Sequence, residues 1–112
     1  KMIDIGIGYS SNVEKALDIM KEEVAKHPLH IDPRNKEDLE NKVPPVIARV
    51  TALNDSSVNL RVWAWAANSA DAFVLQCDLL QSIKKRFDAA GIEIPFPQRT
   101  ITFPNTMDKN EI

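Results

Sequence analysis

The stretch PVIARVTALNDSSVNLRVWAW, residues 45–65, decides the fold of this chain. Apolar side chains alternate with other side chains on both sides of a polar break, Asn-Asp-Ser-Ser, at 54–57. Alternation with a period of two is typical of a strand with one buried face, and short Asn and Asp side chains favour a turn between strands. The stretch therefore predicts an antiparallel β-hairpin.

One strand and one helix are predicted before the hairpin. Isoleucines alternate with small or acidic residues across Ile3–Ile7, a pattern that indicates a strand with one apolar face. Ser11 and Glu14 form a capping-box pattern that predicts the start of a helix, and Pro28 ends that helix because proline lacks the backbone N–H a continuing helix needs.

A second helix and a last strand are predicted after the hairpin. Asn68 caps the helix and Gly91 suits its end. Helical spacing predicts one buried face, made of Phe73, Cys77, Leu80, Ile83 and Phe87. Two prolines at 95 and 97 predict a kink before a strand at 100–103, and the polar tail 105–112 is expected to be disordered.

The predicted order β-α-β-β-α-β defines the fold class as α+β. It favours a ferredoxin-like plait, a four-stranded antiparallel sheet with two helices on one face. Residues 1–104 form one domain, interrupted by a polar excursion at about 35–42. The predicted core consists of Ile3, Ile5, Ile7, Leu17, Met20, Val24, Val50, Leu60, Val62, Phe73, Leu80, Ile83 and Phe87.

The sheet face opposite this core carries a distinctive set of side chains. It includes two arginines, Arg49 and Arg61, and both tryptophans of the chain, Trp63 and Trp65. Tryptophan and arginine are enriched at protein interfaces, so we expect this face to contact another protein surface.

Composition excludes several classes of protein. The net charge of −2 over 112 residues argues against a basic nucleic-acid-binding domain. The longest uninterrupted apolar run, 62–67, is far shorter than the about 20 residues that a membrane-spanning helix requires, and no signal peptide is recognisable. The chain starts almost inside a strand, which suggests a fragment of a longer protein. A single cysteine fits a reducing compartment.

Candidate catalytic and metal-binding residues do not form a recognisable set, so we predict no enzyme, no cofactor and no metal. The segment Gly6–Gly8 lacks the third glycine of a dinucleotide fingerprint. His27, His30 and Asp32 could be metal ligands, but they fall at a helix end and in a loop, where His27 is better explained by the helix dipole. An acylphosphatase-like loop after the first strand would need an arginine, which Gly8–Ser11 lacks.

Three stretches resemble the C-terminal cytoplasmic domain of the MscS family of small-conductance mechanosensitive channels. They are IGIGYSSN at 5–12, LNDSSVNLRV at 53–62 and FDAAGIEIPFPQ at 87–98. The resemblance covers about residues 3–103 and is most specific in the last stretch. Relative to the family, 35–42 looks like an insertion, and the tail after Phe103 looks too short and polar for the closing barrel that some members have.

The resemblance implies a homo-heptameric channel of a bacterial inner membrane that opens under bilayer tension and releases ions and small osmolytes in hypoosmotic shock. Its membrane helices and a middle β domain would precede this domain, which would form the wall of a hollow cytoplasmic cage. The alternative is a ligand-sensing regulatory domain with the same plait. The candidate residues for a subunit or inter-domain interface are Arg49, Arg61, Trp63, Trp65, Phe96 and Gln98.

Overall fold

The computed structural model describes residues 1–95 and has an α+β architecture. A three-stranded sheet and two long helices are joined by short loops and by one excursion that contains a short helix. The elements in chain order are β1 (Met2–Ile7), α1 (Val13–Lys26), α2 (Lys36–Glu40), β2 (Ala48–Leu53), β3 (Val58–Trp63) and α3 (Ser69–Ala90).

The sheet has the strand order β1-β3-β2, and both pairs of neighbouring strands are antiparallel. The hairpin predicted from 45–65 is confirmed as β2 and β3, and its turn is closed by a hydrogen bond of 2.8 Å from Asn54 N–H to the Ser57 carbonyl. The strand predicted at 100–103 and the tail at 105–112 lie outside the described residues. The four-stranded ferredoxin-like plait therefore remains a prediction, while the α+β class is confirmed.

The core lies between one face of the sheet and the two long helices. Directly opposite residues of β1 and β3, such as Ile5 and Leu60, share this face because paired positions in an antiparallel ladder point the same way. The fully buried large side chains are Phe87, Ile3, Ile7, Met20, Leu60, Leu75, Leu79, Ile83, Val24 and Val62.

Helix α1 begins one residue later than the capping-box pattern predicted. The Asn12 side chain accepts a hydrogen bond from Lys15 N–H at 3.1 Å and is the N-cap, because asparagine caps at least as well as serine. The Ser11 hydroxyl instead accepts a hydrogen bond of 3.3 Å from Glu93 N–H, which connects the start of α1 to the segment after α3. The predicted end is confirmed, with His27 as the C-cap before Pro28.

Both ends of α3 are confirmed. The Asn68 side chain accepts a hydrogen bond of 2.8 Å from Asp71 N–H at the start of the helix. Gly91 ends the helix in the left-handed conformation, with φ of 76°, which glycine adopts without the steric cost of a Cβ atom.

The predicted buried face of α3 is wrong in its first half. Phe73 and Leu80 are 64% and 42% exposed, and Cys77 is exposed as well. The helix instead buries Leu75 and Leu79, which are four residues apart and continue into Ile83 and Phe87. The helix thus has two apolar stripes in its first half, one through Phe73 and Leu80 and one through Leu75 and Leu79. Both continue into Ile83 and Phe87, and only one of them can face the core.

Two further residues of the predicted core lie at its margin. Val50 of β2 is 43% exposed and lies next to a register shift between Val50 and Ala52. Leu17 is partly buried and packs against the core.

Candidate functional site

The side of the sheet that faces away from the core is the candidate functional site. We call it the tryptophan face and define it by Arg49, Arg61, Trp63 and Trp65. Strand pairing brings these residues together, because Arg49 lies directly opposite Arg61 in the β2–β3 ladder. Trp65 follows β3 and is 50% exposed. The other two interface candidates, Phe96 and Gln98, lie outside the described residues.

Arg61 is held in place by two neighbours on this face. Its Nε and NH2 atoms donate to the two carboxylate oxygens of Asp4, at 2.6 and 3.2 Å. The guanidinium also lies 5.9 Å from the centre of the Trp63 ring, within the range of a cation–π contact. These hydrogen bonds to the Asp4 carboxylate raise the pKa of Arg61. Arg61 therefore has its charge balanced within the domain.

Arg49 has no such partner. Among residues 1–95, no carboxylate forms a salt bridge with it, although it lies directly opposite another arginine. Like charges at directly opposed positions of a sheet repel each other. The tryptophan face therefore has one positive charge that the described part of the chain leaves uncompensated.

A cavity of about 700 Å³ opens on the tryptophan face. The sheet forms one wall. The other wall is the whole connection between α1 and β2, residues 27–47, which contains the polar segment 35–42 and is called the excursion from here on. Its lining is mostly apolar, with three prolines and both tryptophans. The lining residues are Ile31, Pro33, Arg34, Asp38, Val43, Pro44, Pro45, Ile47, Arg49, Trp63, Trp65 and Ala66.

The excursion that forms the second wall is an ordered structure. Arg34 donates from Nε and NH2 to the Asp32 carboxylate, with the shortest contact at 2.7 Å, and from NH1 to the Val43 carbonyl at 3.3 Å. These hydrogen bonds from Arg34 hold the pKa of Asp32 at about 2. A capping box between Asn35 and Asp38 fixes the start of α2. The excursion thus has its own polar framework.

The excursion is also attached to the sheet beside the cavity. Ile31 N–H donates to the Trp65 carbonyl at 2.8 Å, and Trp65 N–H makes a longer contact of 3.4 Å with His30 Nδ1. Burial lowers the pKa of His30, and the nearby Asp32 carboxylate only partly opposes this effect. His30 Nε2 is buried and has no hydrogen-bond partner among the described residues. The neutral form of His30 is therefore favoured at this junction.

The two histidines make contacts with different parts of the domain. His27 Nδ1 accepts a hydrogen bond from Leu29 N–H at 3.1 Å, so the proton of the neutral ring lies on Nε2, which contacts Asp78 of α3 at 2.8 Å. His30 instead contacts Trp65. No group of three or more potential metal ligands occurs within residues 1–95. His27 links the end of α1 to α3, a contact that the dipole interpretation did not include.

An ionic cluster between α1 and α3, centred on the buried Glu23, was not predicted from the sequence. Glu23 is 3% exposed and contacts Lys26 at 2.8 Å and Arg86 at 3.1 Å. Burial raises the pKa of Glu23, but hydrogen bonds from Lys26 and Arg86 outweigh that effect and the net pKa is lowered. Arg86 also contacts Glu22 at 2.8 Å.

Comparison with known proteins identifies the class. The family described as "Mechanosensitive ion channel MscS, C-terminal" matches residues 2–94. An uncharacterized MscS family protein of Archaeoglobus fulgidus is 38% identical over 95% of this chain and 34% of its own length. A small-conductance mechanosensitive channel of Helicobacter pylori is 31% identical over 89% of this chain and 33% of its own length. The class of protein that these matches define is the MscS family.

The structural comparison agrees with the sequence comparisons. The crystal structure of Helicobacter pylori MscS in its closed state matches 95% of this chain and 39% of that chain, with a TM-score of 0.66 and 26% identity. The chain belongs to the MscS family and contains the family's C-terminal domain. It spans about a third of the length of the curated relatives it matches. Within residues 1–95, none of the helices has the length and apolarity needed to cross a bilayer.

Proposed function

We propose that this domain forms part of the wall of a hollow cytoplasmic cage in a homo-heptameric mechanosensitive channel. The complete channel spans a bacterial inner membrane through segments upstream of this domain, opens under bilayer tension, and releases ions and small osmolytes in hypoosmotic shock. The observation that carries the proposal is the match of residues 2–94 to the C-terminal domain of MscS. The likeness to the Helicobacter pylori MscS structure over 95% of the chain supports it.

The proposal assigns the tryptophan face to contacts with a neighbouring subunit or with the upstream part of the channel. Trp65 is half exposed, and an exposed indole next to Trp63 and two arginines is the combination that interfaces favour. Removing such side chains from water on assembly provides hydrophobic stabilisation that a monomer lacks. Phe96 and Gln98 belong to the same proposed contact on sequence grounds alone.

Alanine substitution distinguishes an assembly role from a folding role. In the full-length channel that contains this domain, Trp63→Ala or Trp65→Ala is expected to reduce the heptamer fraction in native mass spectrometry. In the isolated 112-residue chain, Trp65→Ala is expected to change the free energy of unfolding by less than about 1 kcal/mol. Phe73→Ala is the matched control, since Phe73 is an exposed aromatic residue of α3 that is not part of the tryptophan face. A large loss of stability in the isolated chain would show the tryptophans to be core residues.

Channel activity is tested in cells. The full-length gene is expressed in bacteria that lack their own mechanosensitive channels, and survival is counted after a sudden drop in osmolarity. Improved survival, together with tension-activated currents in excised membrane patches, is the expected result. A full-length protein that reaches the membrane but gives neither survival nor current would contradict the proposal.

The second candidate function is the ligand-sensing regulatory domain. The cavity on the tryptophan face favours it, because binding sites for small molecules are mostly apolar clefts of about 300–1,000 Å³ with a few polar groups. The two functions are compatible, since a channel domain can also contain a binding site. A thermal-shift screen that finds no specific stabiliser would argue against the sensing role.

A further inference from the structure

We propose that the cavity on the tryptophan face binds a small organic anion with an aromatic or aliphatic body and a single acidic group. The inference does not depend on the channel role, because it rests only on the chemistry of the cavity. Three features carry it, which are the apolar lining, the ordered second wall and the uncompensated charge of Arg49.

The lining suits the body of such a ligand. Nine of its twelve residues are apolar, aromatic or proline, and only Arg34, Asp38 and Arg49 are charged. Rigid prolines and indole rings provide contact area with little loss of side-chain conformational freedom. A volume of about 700 Å³ is large enough for a ligand of one to two fused rings or a medium-length alkyl chain.

Two of the three charged lining residues already have roles within the excursion. Arg34 is bound to Asp32 by three hydrogen bonds of 2.7 to 3.1 Å. The carboxylate of Asp38 accepts a hydrogen bond of 3.1 Å from Asn35 N–H in the capping box. The pKa of Arg34 is raised mainly by its hydrogen bonds to Asp32, and the charge of Asp38 adds to that effect. These residues therefore form the wall and are not available as the main anchor of a ligand.

Arg49 is the residue that remains for an acidic group. It lines the cavity, it is exposed, and it forms no salt bridge among residues 1–95. The opposed Arg61 is already paired with Asp4, so Arg49 is the guanidinium left to bind an anion. A guanidinium binds a carboxylate, sulfonate or phosphate through two parallel hydrogen bonds, so an anion here would balance the charge of Arg49.

The test uses two fluorescent probes that differ by one acidic group. 8-Anilinonaphthalene-1-sulfonate has the sulfonate, and N-phenyl-1-naphthylamine has the same rings without it. Both tryptophans of the chain line the cavity, so energy transfer from tryptophan to a bound probe reports binding close to it. The 112-residue chain is titrated with each probe, and the sulfonate is expected to bind about tenfold more tightly than the neutral probe.

Three variants locate the binding. Arg49→Gln is expected to abolish the tenfold preference for the sulfonate and to leave binding of the neutral probe unchanged. Arg61→Gln is the matched control, because Arg61 is on the same face but outside the lining and paired with Asp4, and it is expected to retain most of the preference. Val43→Phe places a ring in the cavity and is expected to weaken both probes by tenfold or more.

Other occupants give different results. Probe binding that neither Arg49→Gln nor Val43→Phe changes would show adsorption to another apolar surface, such as the exposed Phe73, and would overturn the proposal. Self-association of the chain that excludes both probes and depends on Arg49 would assign the cavity to a second copy and would also overturn it. If the chain sediments with phosphatidylglycerol vesicles but does not bind free 8-anilinonaphthalene-1-sulfonate, Arg49 contacts a membrane surface. That result would contradict the proposal.

Discussion

Adjacent leucines in α3 allow a direct test of which side of the helix faces the core. Leu79 is fully buried, whereas its neighbour Leu80 is 42% exposed. Leu79→Ala removes three buried carbon atoms and leaves a cavity, which costs about 3 kcal/mol when the surroundings relax only partly. Leu80→Ala removes the same atoms from a partly hydrated surface, so its cost is expected to stay below about 1 kcal/mol.

Thermal and urea unfolding of the 112-residue chain, followed by circular dichroism at 222 nm, measures both variants. For a domain of this size, about 3 kcal/mol corresponds to a fall in Tm of more than about 10 °C, which such an experiment resolves easily. The denaturant slope is expected to be the same for both, so that the midpoint alone reports the stability difference. A loss for Leu80→Ala equal to that for Leu79→Ala would refute the rotation of α3 described above and would favour the stripe through Phe73 and Cys77.

The remaining predictions concern the buried ionic cluster, the acid response and the end of α3. Arg86→Met leaves the buried Glu23 with one cationic partner instead of two and is expected to lower the free energy of unfolding by about 2 kcal/mol. The control Lys84→Met breaks the exposed Lys84–Asp88 pair and is expected to lower it by about 0.3–0.5 kcal/mol, so equal shifts of the urea midpoint in the two variants would contradict this prediction. Folding lowers the pKa of both His30 and Glu23, so on acidification the unfolded chain binds protons at a higher pH than the folded chain does. The free energy of unfolding is therefore expected to fall as the pH drops below about 6.5, because of His30, and again below about 4.5, because of Glu23. In urea midpoints measured from pH 8 to pH 3, His30→Gln should remove the fall near pH 6.5. In Gly91→Ala the added Cβ atom would have no neighbour within 4 Å, but the residue would have to adopt a positive φ of 76°. The free energy of unfolding is expected to fall by about 1 kcal/mol, with a lower Tm, and an unchanged Tm would show that the helix ends elsewhere.

Local patterns predicted the elements of this fold well. The hairpin, the cap at Asn68 and the glycine at Gly91 depend on a few adjacent residues, and neighbouring residues in the chain are enough to decide them. The face of α3 could not be decided in the same way, because its sequence has two apolar stripes. The choice between them depends on how α1 and the sheet pack against the helix.

The candidate site was predictable only in its sheet half. Alternation in β3 predicted that Arg61 and Trp63 would share the face opposite the core. The second wall depends on contacts between distant parts of the chain, such as Ile31 with Trp65, and on the bonds from Arg34 to Asp32 and the Val43 carbonyl. A polar segment with few apolar residues gives no periodic signal that would predict such a wall.

The register shift in β2 has a consequence for how copies of this chain meet. In the sheet formed by residues 1–95, β2 lies at an edge, where unpaired backbone groups can template a strand from another molecule. The bulge between Val50 and Ala52 interrupts the regular spacing of those groups and twists the strand, which disfavours a continuous ladder with a second copy. A second copy that approaches β2 is therefore more easily contacted through side chains than through a shared sheet, which lowers the tendency of this edge to aggregate.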